Sequence, residues 1–408
     1  MTPEGWKRTT LGKVASITSG GTPSRDNPQF WNGLIAWVTT GEITGRPIES
    51  TSEYISELGL RNSSAKIFPA GTLLMAMYGQ GKTRGRISQL KIDAATNQAC
   101  AAILVSNAAD ASFLLQNLTA RYDEIRTLSN DGSQKNLSGV LLKALPLLLP
   151  PPGERMRIAE ILGTWDRAIE TVEALVANAD AQKAALMQQL LTGASRISGF
   201  EDEWRNTTLG EIANVIVSNV DKKSNAVERE VRLCNYTDVY GADRIHADMP
   251  FMTATASDAE IARYRLRLGD VLITKDSETS GDIAVPSYVA STAPDLICGY
   301  HLAIVRPQKA DGQFLKFLFE HPNARQHFAS RANGVTRFGL TIGAIEGSPI
   351  RCPSIDEQTR IGTIIRTAEV AAEVLKLELA QIRQEKASLM QQLLTGKRRV
   401  KLDVAAAP

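Results

Sequence analysis

The octapeptide LMQQLLTG stands at Leu186–Gly193 and returns unchanged at Leu389–Gly396, 203 residues further on. Eight identical residues at two distant places are not expected by chance in a chain without low-complexity tracts, and the similarity spreads outward from them. PPPGERMRIAEIL from Pro150 stands against PSIDEQTRIGTII from Pro353 at the same spacing. WKRTTLGKVA from Trp6 matches WRNTTLGEIA from Trp204, and FPAGTLLMAMYG from Phe68 pairs with LRLGDVLITKDS from Leu266, both at a spacing of 198. Loop insertions account for the drift in spacing. The chain is therefore one unit of about two hundred residues written twice.

Each unit contains two kinds of segment. The first is built of short apolar runs bounded by Gly, Pro, Asn and Ser. LIAWVTT, GTLLMAMY, ACAAILV, DVLITK and LAIVRP read as strands, with SFLLQNLTARYDEIRTL and GQFLKFLFEHPNARQHFA as helices between them. The second kind has no proline from Glu154 to Leu191, and its apolar residues recur every three or four positions. Ile158, Ile161, Leu162, Trp165, Ile169, Val172, Leu186 and Leu190 form this stripe in the first copy. Ile361, Ile364, Ile365, Leu375, Leu379, Leu389 and Leu393 form it in the second. Each segment reads as one amphipathic helix roughly 60 Å long at 1.5 Å per residue, ended by the C-cap glycines Gly193 and Gly396. Stripes this long cannot stay in water, so the two helices are expected to pack on each other as an antiparallel pseudo-twofold pair.

The expected fold is α+β: two tandem mixed α/β domains separated by two long antiparallel coiled-coil helices. The boundaries expected are a first globular domain at 1–152, a helix at 153–193, a linker at 194–203, a second globular domain at 204–353, a helix at 354–396 and a tail at 397–408. The tail KRRVKLD follows the second LLTG as ASRISGFEDEW follows the first, which would bring the tail near Trp6 and make the organisation nearly circular.

Composition narrows the function class. A chain that is 43% hydrophobic and 22% charged is an ordinary globular protein, and 408 residues exceed one core. No apolar run long enough for a signal peptide or a membrane span occurs, since Lys143 and Pro146 interrupt VLLKALPLLLPPP. Four cysteines scattered without ligand spacing point to a reducing cytoplasm and away from structural zinc. A net charge of +2 means that any nucleic-acid binding must rest on local positive charge or on partners.

Gly79-Gln80-Gly81-Lys82-Thr83 resembles the end of a phosphate-binding loop, but the first glycine of that motif falls on Ala76. The second copy, ITKDSETSGDIAV from Ile273, has no Gly-Lys-Thr, so no ATP is expected here. The four histidines, all in the second copy, form no ligand or triad pattern and read as solvated or core residues. No nucleophile elbow or methyltransferase tetrapeptide is present. No catalytic residue, metal or cofactor is expected.

What the chain does offer is polar, Gly-rich loops carrying side chains that pair with base edges and phosphates. In the first copy these are Thr39, Tyr78, Gln80, Lys82, Thr83, Arg84, Arg86, Ser133, Gln134, Lys135 and Asn136. In the second they are Asn235, Tyr236, Lys275, Ser277, Thr279, Arg331, Asn333, Thr336 and Arg337. Loops that differ on a framework that persists are what two readers of two different sequences would show. The other reading is a coiled-coil adaptor bridging two proteins, with no DNA role.

WKRTTLGKVASITSGGTPS, NGLIAWVTTGEI, GTLLMAMYGQGKTRGRI, the GSQKNL…LPLLLPPPGERMRIAEIL passage and the doubled LMQQLLTG together resemble the specificity (S) subunit of type I restriction–modification systems, the HsdS family. The resemblance implies two target-recognition domains, each reading half of a split double-stranded DNA site. It also implies that the helices set the spacer and dock two methyltransferase subunits. Catalysis would belong to partners: S-adenosylmethionine-dependent methylation, and ATP- and Mg-dependent cleavage by restriction subunits. It places the protein in a prokaryotic cytoplasm, without a membrane.

Overall fold

The computed structural model describes residues 2–79, 82–128, 136–221 and 225–401. The chain divides into two compact units: Met1–Glu173 with Leu377–Pro408, and Ala174–Lys376. Each unit thus contains one α/β body and half of each long helix.

In the first unit, the ribbon of Lys7–Thr10 against Pro146–Leu149 closes the start and end of the body. A four-stranded antiparallel sheet runs in the order Ser16–Ser19, Cys100–Leu104, Leu73–Ala76, Ile87–Gln89. A second sheet runs Glu53–Ile55, Trp31–Val38, Ala94–Thr96, Ile67–Phe68, with one parallel pair, Trp31–Val38 beside Ala94–Thr96. Leu73–Ala76 is buried along its whole length, as an unbroken apolar run dictates. The second unit repeats the plan with more strands. Its ribbon joins Arg205–Thr208 to Pro349–Cys352. Its main sheet runs Ala213–Val217, Leu302–Pro307, Val271–Thr274, Pro286–Val289, Arg244–Ile245, and a three-stranded sheet holds Arg229–Cys234 at its centre.

All five expected strands are present. Each of the two expected inter-strand helices is instead a pair: Ala108–Ala120 with Tyr122–Thr127, and Gly312–Glu320 with Pro322–Arg331. In the second unit Pro322 supplies the reason. It cannot donate to the preceding turn, so His321 ends one helix and caps the next. In the first unit Arg121 makes the same break without a proline; its guanidinium leaves the helix to donate to the Pro146 carbonyl at 2.7 Å.

The long helices span Pro152–Leu191 and Ile355–Leu393, and Gly193 and Gly396 follow them at φ +72° and +69°, the left-handed conformation glycine adopts without a Cβ penalty. They pack antiparallel. In the first unit Ile158, Ala159 and Leu162 share a core with Met390, Leu393 and Leu394. In the second, Met187, Leu190 and Leu191 share one with Ile361 and Ile365. Those cores also contain the sheets and shorter helices, so the ends of the stripe bury themselves in the α/β bodies. Val172 and Leu379 are buried, and Ile161, Trp165, Ile169, Leu186, Ile364, Leu375 and Leu389 are half-buried.

Charged pairs join the helices as well. In the second unit Lys183 Nζ donates to Glu369 at 2.9 Å, and the fully buried Lys316 donates to the same carboxylate at 2.8 Å. In the first unit Lys386 pairs with Asp166, which also accepts from Gln116. Each unit is also closed by a buried glutamate at the start of a long helix. Glu154 accepts from the Trp6 indole at 2.9 Å and from Arg399 through Nε and Nη2 at 2.7 and 2.9 Å. Glu357 accepts from the Trp204 indole at 3.2 Å and from Arg196 at 2.8 and 2.9 Å. The tail therefore does lie beside Trp6, as the repeat suggested.

Candidate nucleic-acid interface

The candidate loops leave the sheets at two pairs of equivalent points. In the first unit the chain exits Leu73–Ala76 through Met77. The Met77 N–H donates to the Ala99 carbonyl at 2.8 Å, and the Leu137 N–H donates to the Met77 carbonyl at 3.0 Å. In the second unit Lys275 holds the same place after Val271–Thr274. Its N–H donates to the His301 carbonyl at 2.8 Å, and its carbonyl accepts from Leu340 N–H at 2.9 Å. The second pair follows Trp31–Val38 and Arg229–Cys234. There Thr39 and Asn235 form capping boxes with the acids three residues on; Glu42 accepts from Thr39 N–H at 2.8 Å and Asp238 from Asn235 N–H at 2.7 Å. Burial by itself raises the Glu42 carboxyl, but the backbone N–H groups of Thr39 and Ser52 and the Thr51 hydroxyl hold it below its usual range. The same main-chain bonds thus present different side chains in the two units.

Around this frame the first-unit residues divide. Lys82 is exposed, and its carbonyl accepts from the Tyr122 hydroxyl at 2.7 Å. Tyr78 is exposed and Thr83 half-buried. Arg84 and Arg86 turn back into their own unit. Arg84 Nη2 donates to the Arg126 carbonyl at 3.0 Å, and Arg86 Nη1 to the Thr44 carbonyl at 3.1 Å. These two guanidiniums brace the loop, while Lys82 and Tyr78 face outward. Thr39 is half-buried in its capping box and Asn136 is half-buried. Gln80, Ser133, Gln134 and Lys135 lie outside the described residues.

In the second unit the structure brings several candidates together. The Tyr236 hydroxyl lies 3.3 Å from Ser277 Oγ, and Tyr236 stacks on Tyr240 with centroids 5.7 Å apart. Tyr240 and Thr279 both donate to Asp282, at 3.1 and 2.7 Å. Lys275 Nζ donates to Asp276 at 2.6 Å, Asp276 pairs with His301 Nδ1 at 2.8 Å, and His301 Nε2 lies 3.0 Å from Arg337 Nη2. Burial by itself raises the Asp276 carboxyl, yet the Lys275 and His301 hydrogen bonds hold it below its usual range, so it is ionised. The Asn333 and Gly339 main chains exchange both bonds, at 3.0 and 2.9 Å, closing the loop that carries Thr336 and Arg337. Arg331, Asn333, Thr336 and Arg337 are exposed. Asn235 is buried and donates to the Leu233 carbonyl at 3.2 Å, which makes it part of the frame.

The sequence reading passed over Asp276, His301, Tyr240 and Asp282. In the sequence His301 reads, like the other three histidines, as a solvated or core residue. No sequence signal marks it, since it takes the place of Ala99 only through the main-chain bonds of the folded frame.

The arrangement offers cations, amides and hydroxyls, with the Asp276 and Asp282 carboxylates and the His301 imidazole among them. Burial pushes the Cys100 thiol up to about 12 and the Cys352 thiol up to about 11, and all four cysteines are buried and free. No cluster that could hold a metal occurs among the described residues. A cleft of about 370 Å³ in the second unit, between Leu209, Phe319, Phe328 and Ile350, is lined also by His321 and His327 but by no carboxylate or thiol. No helix among the described residues is long and apolar enough to cross a membrane.

Known proteins resemble this chain in sequence and in fold. The sequence model for the type I restriction modification DNA specificity domain matches residues 3–177. The chain is 26% identical over 171 residues to the type I restriction enzyme EcoR124I/EcoR124II specificity subunit of Escherichia coli, covering 41% of this chain and 42% of that one. It is 24% identical over 289 residues to the putative type I restriction enzyme MjaX specificity subunit of Methanocaldococcus jannaschii, covering 66% and 63%. The alignments thus span less than two thirds of these relatives' lengths. The crystal structure of the type I restriction–modification system S subunit from M. genitalium superposes with a TM-score of 0.60 at 14% identity, over 95% of this chain and 96% of that chain. A chain from a type I system solved for its complex assembly and conformational transition gives 0.57 at 17% identity, over 98% and 100%. At these identities the structural likeness establishes the fold.

Proposed function

We propose that the chain is a specificity subunit of a type I restriction–modification system, which the match of residues 3–177 and the similar specificity subunits support, and that it reads a bipartite double-stranded DNA site, one half with each unit, and does no chemistry itself. The observation that carries this reading is the pair of loop exits. Met77 and Lys275 make the same two main-chain hydrogen bonds, yet Tyr78 and Ala99 in one unit become Asp276 and His301 in the other. A retained frame with exchanged side chains supports two different sequences being read by one mode of docking. The two long helices would hold the half-sites at a fixed spacing. On their outer faces they would receive two methyltransferase subunits, which supply S-adenosylmethionine chemistry, while restriction subunits supply ATP- and Mg-dependent cleavage. Much of the phosphate charge would be met by those partners, in keeping with a net charge of only +2. The expected setting is a prokaryotic cytoplasm.

Co-expression with a methyltransferase subunit of such a system, followed by mapping of methylated adenines across the genome, tests the proposal. The expected result is a split asymmetric motif. Exchanging residues 1–152 for those of another family member should change one half of the motif and leave the other and the spacer intact. Methylation without a split motif, or a swap that changes both halves, would overturn it. A DNA-independent adaptor would show no salt-sensitive binding to any duplex.

A further inference from the structure

The contacts around Lys275 form a chain that ends on one exposed side chain. Asp276 is ionised between Lys275 and His301, and its Oδ2 lies 2.8 Å from His301 Nδ1, so that nitrogen carries the imidazole proton and donates it. The neutral ring then has its lone pair on Nε2, and Arg337 Nη2 donates to it at 3.0 Å. Arg337 is exposed, and no other protein partner holds it among the described residues. Main-chain pairing fixes the two ends of this chain against each other. Asp276–Ser277 pairs antiparallel with Phe338–Gly339, and Asn333 and Gly339 bond reciprocally.

His301 itself stands at φ +68°, a left-handed conformation that a non-glycine residue keeps only where its surroundings over-determine it. Such strain is concentrated at functional sites. A phosphate contact needs only a positive charge within reach, and a freely moving lysine or arginine provides it. Orienting a guanidinium through a half-buried carboxylate and the imidazole of a residue with a strained backbone serves a contact in which orientation matters. The contact of that kind on DNA is the bidentate pair between arginine and the O6 and N7 acceptors of guanine.

We propose that Asp276 and His301 are positioning residues that orient Arg337 to read a guanine in the half-site of the second unit. The inference rests on the DNA-reading role proposed above and names the residues that carry specificity on this side. In the first unit Tyr78 and Ala99 occupy the places of Asp276 and His301, so no such chain can form there, and that half-site is read by different chemistry.

The test is selection from a pool of duplexes with randomised base pairs, using the full chain with its methyltransferase subunits. The variants are Arg337→Lys, Arg337→Ala and His301→Asn. Asparagine tolerates the left-handed backbone but is too short to reach Arg337. Arg337 is exposed, so its variants fold even if His301→Asn does not. Wild type should enrich a guanine at one position of the half-site that is unaffected by exchange of residues 1–152. Arg337→Lys and His301→Asn should each relax preference at that single position about tenfold or more, with the other half-site and the salt dependence unchanged. The inference is overturned, with the DNA-reading role intact, in either of two cases. One is that Arg337→Ala weakens all sequences equally and lowers the salt slope by about one. The other is that His301→Asn leaves the base preference untouched. If wild type enriches no sequence, the DNA-reading role falls and the inference with it.

Discussion

Lys82 and Arg84 stand two residues apart in one basic loop, and the structure gives them different work. Arg84 is half-buried and donates to the Arg126 carbonyl, whereas the Lys82 side chain is exposed. Arg84→Ala removes a charge-assisted hydrogen bond and should lower the stability of the first unit by about 1.5–3 kcal/mol, measured by urea unfolding. Lys82→Ala should change stability by less than about 0.5 kcal/mol and, on the DNA-reading role proposed above, reduce the salt dependence of binding by about one counterion. The sequence shows that both residues are basic but not which carbonyl lies within reach. The Arg126 acceptor is 42 residues downstream and belongs to a helix whose position depends on packing. His301 was illegible for a related reason. Its partners Asp276 and Arg337 are 25 and 36 residues away, and only the folded frame brings the three together.

At the scale of elements, the periodicity of the long helices was enough to place them, and the structure adds what keeps their register. Glu369 is buried, with Lys316 and Lys183 both donating to it. Burial alone would raise its carboxyl, but the Lys316 and Lys183 ammoniums bring it down to about 2. Removing it by Glu369→Ala leaves Lys316 and Lys183 sharing Glu320 alone among the described residues and takes an acceptor from Arg366. The second unit should lose roughly 3–5 kcal/mol in urea unfolding at neutral pH. Because the folded pKa lies below the ordinary value of 4.5, the stabilisation is complete above that value and lost as pH falls through it toward about 2. The difference between wild type and Glu369→Gln should therefore shrink steadily between pH 5 and pH 2, followed by the urea midpoint. The fully buried Lys316 gave no signal in the sequence, where a lysine in a helix reads as surface. The break at Arg121 was equally hidden, since no proline or glycine marks it, while Pro322 announced the other.

For the whole molecule the repeat was the decisive signal, because it survives in spacing and letters where individual contacts do not. Fold class, the long helices and the differing loops on a persisting framework followed from it; the partners of individual side chains did not. The buried Glu154 shows how fully the repeat closes. It takes its arginine from position 399, just as Glu357 takes Arg196. Arg399→Ala should speed amide hydrogen exchange around Trp6 and the Lys7–Thr10 ribbon and leave the second unit unchanged, with Arg196→Ala giving the converse pattern.

The LMQQLL face that packs at Leu389–Leu394 in the first unit is present, letter for letter, at Leu186–Leu191. Asp166 and Lys183, the two ends of the charged pairing between helices, both lie on the first long helix, and Arg196 follows it. A polypeptide of residues 1–203 therefore contains both halves of every complementary surface, but it cannot fold back to satisfy them within itself. Two such half-length chains should assemble as a homodimer in light-scattering measurements. On the DNA-reading role proposed above, that dimer carries the same loops twice and should favour an inverted-repeat palindrome over the asymmetric site proposed for the tandem protein.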